Sequence, residues 1–229
     1  MNELEHFFKN EEHRLIHKWN HYFEIYDRHL KHLKDRKINI LEIGVCHGGS
    51  LQMWDFYFKG NAFVYGIDIN PECKKLENEN VQIFIGSQED EQFLETIKRT
   101  IPKVDVLIDD GGHTMKQQVN TLKYLFDHVA DDGIYICEDL HTSYWKSFGG
   151  GYKKKRSFIE FSKNFIDKIH AWHSPKISVD HFTRSTHSLH YYDSMLVIEK
   201  RKMTPPFDVK SGVACIADQS SKELQVKLK

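Results

Sequence analysis

Apolar and polar positions follow two different periods along this chain. Over residues 3–35, Phe7, Phe8, Leu15, Ile16, Trp19, Tyr22, Phe23, Tyr26, Leu30 and Leu33 recur mostly at spacings of three and four. That spacing predicts an amphipathic helical cap, made of two helices broken near Asn10. After residue 37 the pattern becomes short continuous apolar runs at 38–43, 63–67, 81–85, 104–108 and 133–137. Such runs read as strands buried on both faces of a parallel sheet. Helical patterns separate them at 51–58 and 90–100, and again where Val119, Leu122, Leu125, Phe126 and Val129 share a face. Regular alternation of strand and helix predicts an α/β fold on a doubly wound, mostly parallel sheet.

The pattern changes once more after residue 148. Gly149 to Gly151 and Lys153 to Arg156 form a charged loop, and a helix is predicted over 157–170. Runs at 177–182 and 191–200 then close the sheet as a C-terminal antiparallel hairpin, which makes seven strands in all. Residues 201–229, with Pro205-Pro206, read as a peripheral arm on a single domain whose cap is 1–36 and whose core is 37–200.

Composition adds exclusions. The chain has 229 residues, 40% of them hydrophobic and 28% charged, which suits a globular protein with a full core. A net charge of −1 gives no bulk electrostatic reason to expect nucleic acid or a membrane surface. There is no apolar run near membrane-spanning length and no leader pattern, so a cytoplasmic protein is expected. The four cysteines lack C-x-x-C spacing. His13 and His17 stand four apart, but the expectation for them is a solvated helix face. Nothing in the pattern decides whether the chain forms a homo-oligomer.

The chemistry lies at the strand ends. Asp109-Asp110-Gly111-Gly112-His113 follows the fourth run, and Glu138-Asp139-Leu140-His141 follows the fifth. In open α/β sheets ligands bind beyond the carboxyl ends of the strands. Neighbouring strands would bring four carboxylates and two imidazoles to one rim. Like charges held that close need a cation or proton uptake, which points to a metal-assisted active site. The blander alternative makes Asp109 and Asp110 helix caps and His113 a surface histidine.

The first run ends in Glu42-x-Gly44-x-x-x-Gly48-Gly49, a loop whose backbone can approach a ligand closely. Cys46 stands where a dinucleotide fingerprint needs glycine, and Glu42 would repel a pyrophosphate. Asp68, at the end of the second run, can accept from both ribose hydroxyls, although Asp68-Ile69-Asn70-Pro71 also suits a turn. A nicotinamide-dependent oxidoreductase is opposed by Cys46. A metal-dependent hydrolase would use the same acids, but has no need of the Gly44 loop or Asp68.

Glu42-Ile-Gly44-x-x-x-Gly48-Gly49-Ser50, Gly66-Ile-Asp68-Ile-Asn70-Pro71 and Ile85-Gly86-Ser87-Gln88 together resemble a class I S-adenosylmethionine-dependent methyltransferase, a Rossmann-like enzyme. The two acidic blocks, the second running on to Tyr144-Trp145, resemble the metal-dependent sugar O-methyltransferases of the macrocin and mycinamicin type. That resemblance implies methyl transfer to a hydroxyl of a sugar or glycosylated natural product, with S-adenosylmethionine and Mg²⁺ (or Mn²⁺). It implies cofactor contacts at Glu42, Gly44, Gly48, Ser50, Asp68, Ser87, Gln88 and Asp109. It also implies metal ligation by Asp110, Glu138 and Asp139, with His113 as general base, a role to which histidine as a residue type is suited. His141, Tyr144 and Trp145 are the expected walls of the sugar pocket, Trp145 being equally suited to the core.

Overall fold

The computed structural model describes residues 1–10 and 12–213. Helices α1 (Glu3–Asn10) and α2 (Tyr22–Leu30) precede β1 (Ile38–Ile43). Then follow α3 (Gly49–Tyr57), β2 (Ala62–Asp68), β3 (Val81–Ile85), α4 (Glu91–Thr100), β4 (Val104–Asp109), α5 (Met115–Leu125) and β5 (Val129–Cys137). Three short helices, α6 (Phe158–Ser162), α7 (Asn164–Ile169) and α8 (His181–Ser185), lead into β6 (Thr186–Tyr192) and β7 (Met195–Lys200).

The seven strands lie in the order β3-β2-β1-β4-β5-β7-β6. The first five are parallel, and β7 runs antiparallel between β5 and β6. The predicted seven-stranded, mostly parallel sheet with an antiparallel hairpin is therefore present. Both faces are covered, which is why the central strands are apolar almost throughout. One core layer packs Tyr26, Trp54 and Tyr57 beneath α1, α2 and α3. The other packs Leu94, Leu122 and Phe126 beneath α4 and α5. Sequence chemistry sets the helix starts. Asp90 accepts from the amides of Gln92 and Phe93 to open α4, and Thr114 with Gln117 forms a capping box on α5. Among the described residues no helix is long and apolar enough to cross a membrane.

Three expectations need correction. The spacing of Leu15, Ile16 and Trp19 predicts helix, yet residues 12–21 form no helix and drape over the sheet rim as a strap. Ile16 is buried there, whereas Leu15 and Trp19 are 65% and 51% exposed. The strap is tied to other elements as well as to itself: the Arg14 amide donates to Gln52 Oε1 at 2.7 Å. His13 and His17 therefore share no helix face. The predicted helix over 157–170 is two short helices meeting at Lys163, which caps both. The first hairpin strand is Thr186–Tyr192 rather than 177–182, because Asp180 and Thr183 form a capping box that turns this stretch into α8. Of the predicted arm, residues 201–213 carry no helix or strand, and 214–229 lie outside the described residues.

The sheet reverses its order of connection between β1 and β4, and there the chain leaves β1 through Gly44 at φ +94°. A Cβ at this position would lie 1.9 Å from the Asp110 carbonyl oxygen. Both the backbone conformation and the close approach exclude a side chain. Gly44→Ala is expected to lose more than about 3 kcal/mol of stability by urea unfolding. A change within about 0.5 kcal/mol would mean that the two loops part easily.

Candidate active site

The carboxyl ends of β1 to β5 surround a cavity of about 470 Å³. Its floor is the Gly44–Cys46 turn, its sides include Asp68, Ser87 and Asp110 to His113, and Leu15 to Lys18 of the strap form its roof. The roof sits tightly. A Cβ on Gly49 would lie 2.4 Å from the Arg14 carbonyl and 2.5 Å from that of Leu15. Gly48 opens α3 at φ +75°.

On the glycine-loop side, Asp68 lines the cavity with its carboxylate already oriented. Its Oδ2 accepts from the Cys46 amide at 2.9 Å, and its Oδ1 from the Asn70 amide at 2.8 Å. Asp68 thus serves the turn and lines the cavity at once. Ser50 and Ser87 also face the cavity.

Glu42 and Asp109 do not. Both are fully buried and lie behind the lining. Glu42 accepts from Ser50 Oγ at 2.9 Å and Trp54 Nε1 at 3.2 Å, bracing α3 against β1. Gln88 donates to Asp109 Oδ1 at 2.5 Å and accepts from the Gly112 amide at 3.2 Å, so the pair holds the Asp110–His113 loop in place. Burial raises the carboxyl of Asp109 to about 6 and that of Glu42 to about 7.

The acidic half follows from strand register. Asp109 pairs with Cys137 in the β4/β5 ladder, and the Glu138 amide donates to the Asp109 carbonyl at 2.9 Å. Asp110 and Glu138 therefore leave adjacent strands side by side. Lys18, from the strap, answers both: its Nζ lies 2.5 Å from Asp110 Oδ2 and 2.8 Å from Glu138 Oε2. Two tyrosines of α2 complete the set. Tyr26 donates to Glu138 Oε1, and Tyr22 donates to Asp139 Oδ1 at 2.8 Å. Burial lowers the pKa of Lys18, but the attraction of Asp110, Glu138 and Glu42 outweighs it and the net shift is upward. The same pairing lowers Asp110 and Glu138. For them burial wins, helped at Glu138 by repulsion from Asp110, and its carboxyl is pushed up to about 8.

His113 sits at the mouth of the cavity with Nε2 3.4 Å from Asp139 Oδ2 and 3.9 Å from Asp110 Oδ1. Its Nδ1 is buried and has no hydrogen-bond partner among the described residues. Asp110, His113 and Asp139 can each offer one ligand atom, all within 4.8 Å of one another. Glu138 stands beside this group, but both of its oxygens are engaged. Cys46, His113 and Asp139 all adopt left-handed backbone, at φ 51°, 57° and 54°. Non-glycine residues held this way cost about 1–3 kcal/mol each and gather at functional sites.

Beyond the acids, His141 Nδ1 lies 2.5 Å from Ser194 Oγ, and its ring stands edge-on to Trp19 at 5.5 Å and to Trp145 at 4.6 Å. Tyr144 and Trp145 are about half exposed, which removes Trp145 from the core. Lys18, Tyr22 and Tyr26 are the site residues that the sequence pattern did not single out. Tyr22 and Tyr26 fall on the apolar stripe of α2, where they read as core. Lys18 carries no motif at all.

Residues 41–140 match the family described as "Methyltransferase domain". The chain is 32% identical over 191 residues to 8-demethyl-8-alpha-L-rhamnosyl tetracenomycin-C 2'-O-methyltransferase of Streptomyces olivaceus, covering 79% of this chain and 50% of that protein. It is 31% identical over 188 residues to mycinamicin VI 2''-O-methyltransferase of Micromonospora griseorubida, covering 76% and 47%. A solved structure of the mycinamycin-pathway methyltransferase MycE with Mg, SAH and mycinamycin VI superposes with a TM-score of 0.75 at 31% identity, over 81% of this chain and 50% of that one. The chain spans about half the length of the curated relatives it matches.

The buried Glu42 gives a pH prediction. Its carboxyl titrates at about 7 in the fold, against an ordinary value of 4.5. Below both values it is protonated folded or unfolded. Between them only the unfolded chain releases the proton, so stability falls as pH rises and levels off above about 7. Glu42→Gln should remove about 3 kcal/mol of this dependence. The check is urea unfolding of both proteins at pH values on either side of that window. Parallel pH profiles would show that Glu42 titrates normally.

Proposed function

We propose that this chain, whose residues 41–140 match the methyltransferase-domain family, transfers the methyl group of S-adenosylmethionine to a hydroxyl of a sugar or glycosylated natural product, with help from Mg²⁺ or Mn²⁺. The observation that carries this reading is the grouping of Asp110, His113 and Asp139 beside a glycine-loop cavity of nucleotide size. The names of the relatives support it: they are O-methyltransferases of rhamnosyl tetracenomycin C and of mycinamicin VI, and MycE carries Mg and SAH.

The donor set fits a hard divalent ion. Asp110, Glu138 and Asp139 offer carboxylate oxygens, and the nearby Cys137 thiol is buried 4.0 Å from Asp109 Oδ2, behind the lining. When bound, such an ion would lower the pKa of the acceptor hydroxyl. Asp68 is suited to the ribose hydroxyls, and the backbone at Gly44 and Gly48 can pass close to the cofactor. Glu42 and Asp109 act from behind, by fixing the loops that make those contacts, while Gln88 lines the cavity and joins Asp109 to the Gly112 amide. His113 Nε2 would take the acceptor's proton, and the bound cofactor would supply the methyl group, its carbon–sulfur bond breaking as the carbon–oxygen bond forms. Asp139 Oδ2, 3.4 Å away, then steadies the imidazolium. The rings of Trp19, His141, Tyr144 and Trp145 offer flat apolar walls to a sugar face.

Two measurements test this reading. With labelled S-adenosylmethionine and glycoside acceptors, exhaustive chelation should abolish transfer and Mg²⁺ or Mn²⁺ should restore it. Full activity after chelation would remove the metal from the mechanism.

His113→Ala should lose about 10²–10⁴-fold in turnover while keeping its affinity for Mn²⁺ and for S-adenosylhomocysteine. If Mn²⁺ affinity collapses instead, His113 is a ligand and the base lies elsewhere.

A further inference from the structure

Glu138 can reach a metal ion only if one of its oxygens is released. Tyr26 holds Oε1 by a hydroxyl donor, and Lys18 holds Oε2 at 2.8 Å. The same ammonium holds Asp110 Oδ2 at 2.5 Å. It is sealed in place, its side chain only 3% exposed and its Nζ 5.8 Å from the centroid of the Tyr26 ring. A lysine ammonium is a compact point charge with no acceptor to offer a metal. It therefore stands where a divalent ion bound to Asp110 and Glu138 would need to stand, and two cations at that spacing repel each other.

Lys18 also belongs to the strap. Leu15, Ile16, His17 and Lys18 line the cavity, with the carbonyls of Arg14 and Leu15 pressed onto Gly49. The two ion pairs of Lys18 tie this roof to the ends of β4 and β5. Trp19 against His141 and the His21 ring against the Asp193 carbonyl, at 2.9 Å, hold only its far end. Ile16, buried in the core, and the Arg14–Gln52 bond hold the strap on its α3 side, so displacing Lys18 frees its tie to the β4 and β5 rim.

Resting on the proposed metal-dependent reading, we infer that Lys18 is the resident cation of the carboxylate cluster, that a divalent ion engages Glu138 only by displacing it, and that ion entry thereby loosens the strap over the cofactor cavity. Lys18 is thus a positioning residue, acting through Asp110 and Glu138. Linkage makes the effect reciprocal: an ion that binds better with the strap released must favour release.

The test is a Mn²⁺ titration of metal-free protein, followed by calorimetry and by the electron paramagnetic resonance of the free ion. Lys18→Met, which keeps length but not charge, should bind Mn²⁺ at least about tenfold more tightly than wild type. Lys18→Arg, which keeps the charge, should not. Amide hydrogen exchange of residues 12–20 in wild type needs no variant at all. There Mn²⁺ should speed exchange, whereas in Lys18→Met exchange should already be fast and unaffected by the ion. Equal or weaker Mn²⁺ binding by Lys18→Met, or a strap slowed by Mn²⁺ in wild type, overturns the inference and leaves the metal-dependent reading standing. Absence of Mn²⁺ binding in wild type and Lys18→Met alike overturns both.

Discussion

Register between two parallel strands forces the central problem of this structure. Because β4 and β5 pair Asp109 with Cys137, the next residues, Asp110 and Glu138, emerge side by side at the sheet rim. Asp139 follows immediately, and Glu42 lies buried nearby on β1. Carboxylates this close, with little water to screen them, would spread the loops apart. The fold meets that repulsion with donors from outside the sheet: one ammonium from the strap and two phenols from α2. Helix α2 is itself tied to the hairpin, through His29 Nδ1 and Glu199 Oε1 at 2.8 Å. The N-terminal cap is therefore part of the electrostatics of the rim as well as a cover for the apolar face of the sheet.

The same constraint accounts for the backbone. A loop that must place a side chain beside a neighbouring strand end, without room to turn gradually, turns through the left-handed region. Cys46, His113 and Asp139 do so on three separate loops. The surroundings hold each one there. Asp68 accepts from the Cys46 amide, Thr142 Oγ1 donates to the His113 carbonyl at 3.0 Å, and Tyr22 Oη donates to Asp139. A rim fixed by many short hydrogen bonds keeps reacting groups oriented at no further entropic cost when a ligand arrives.

How much of this was legible in the sequence depends on the range of the interaction involved. Strands buried on both faces announce themselves as apolar runs, so β1 and β3 fall where the pattern predicts them, and the acidic blocks fall at strand ends. Periodicity failed where distant contacts outrank local preference. Leu15, Ile16 and Trp19 have helical spacing, but the strap's bonds run to α3 and to the β4 and β5 rim, contacts no local pattern encodes. Thr186–Tyr192 was missed because a capping box at Asp180 and Thr183 ends the preceding run early. Lys18 was illegible in principle: a single lysine becomes part of a site only when folding brings Asp110 and Glu138 to it. Glu42 and Asp109 were read as cofactor contacts because motif position shows that a residue is near a site. It does not show on which side of the lining its side chain falls.

The tyrosines of α2 suggest why the acids are useful as well as tolerated. A free carboxylate has two equivalent oxygens and swings between partners. Here Tyr22 fixes Oδ1 of Asp139, so that Oδ2 is the oxygen turned to His113. Tyr26 likewise fixes Oε1 of Glu138 and turns Oε2 to Lys18. Lys18 in turn fixes Oδ2 of Asp110, leaving Oδ1 on the His113 side. Each acid is thus divided into an oxygen held by the scaffold and an oxygen aimed at the rim. A cation in place of the ammonium would change the partners of Asp110 Oδ2 and Glu138 Oε2 alone and leave the two oxygens held by the phenols as they are. A cluster bound only to itself or to water would lack that directional bias. The phenols, which stay protonated because burial holds both far above their ordinary range, can give their protons to the scaffold oxygens throughout.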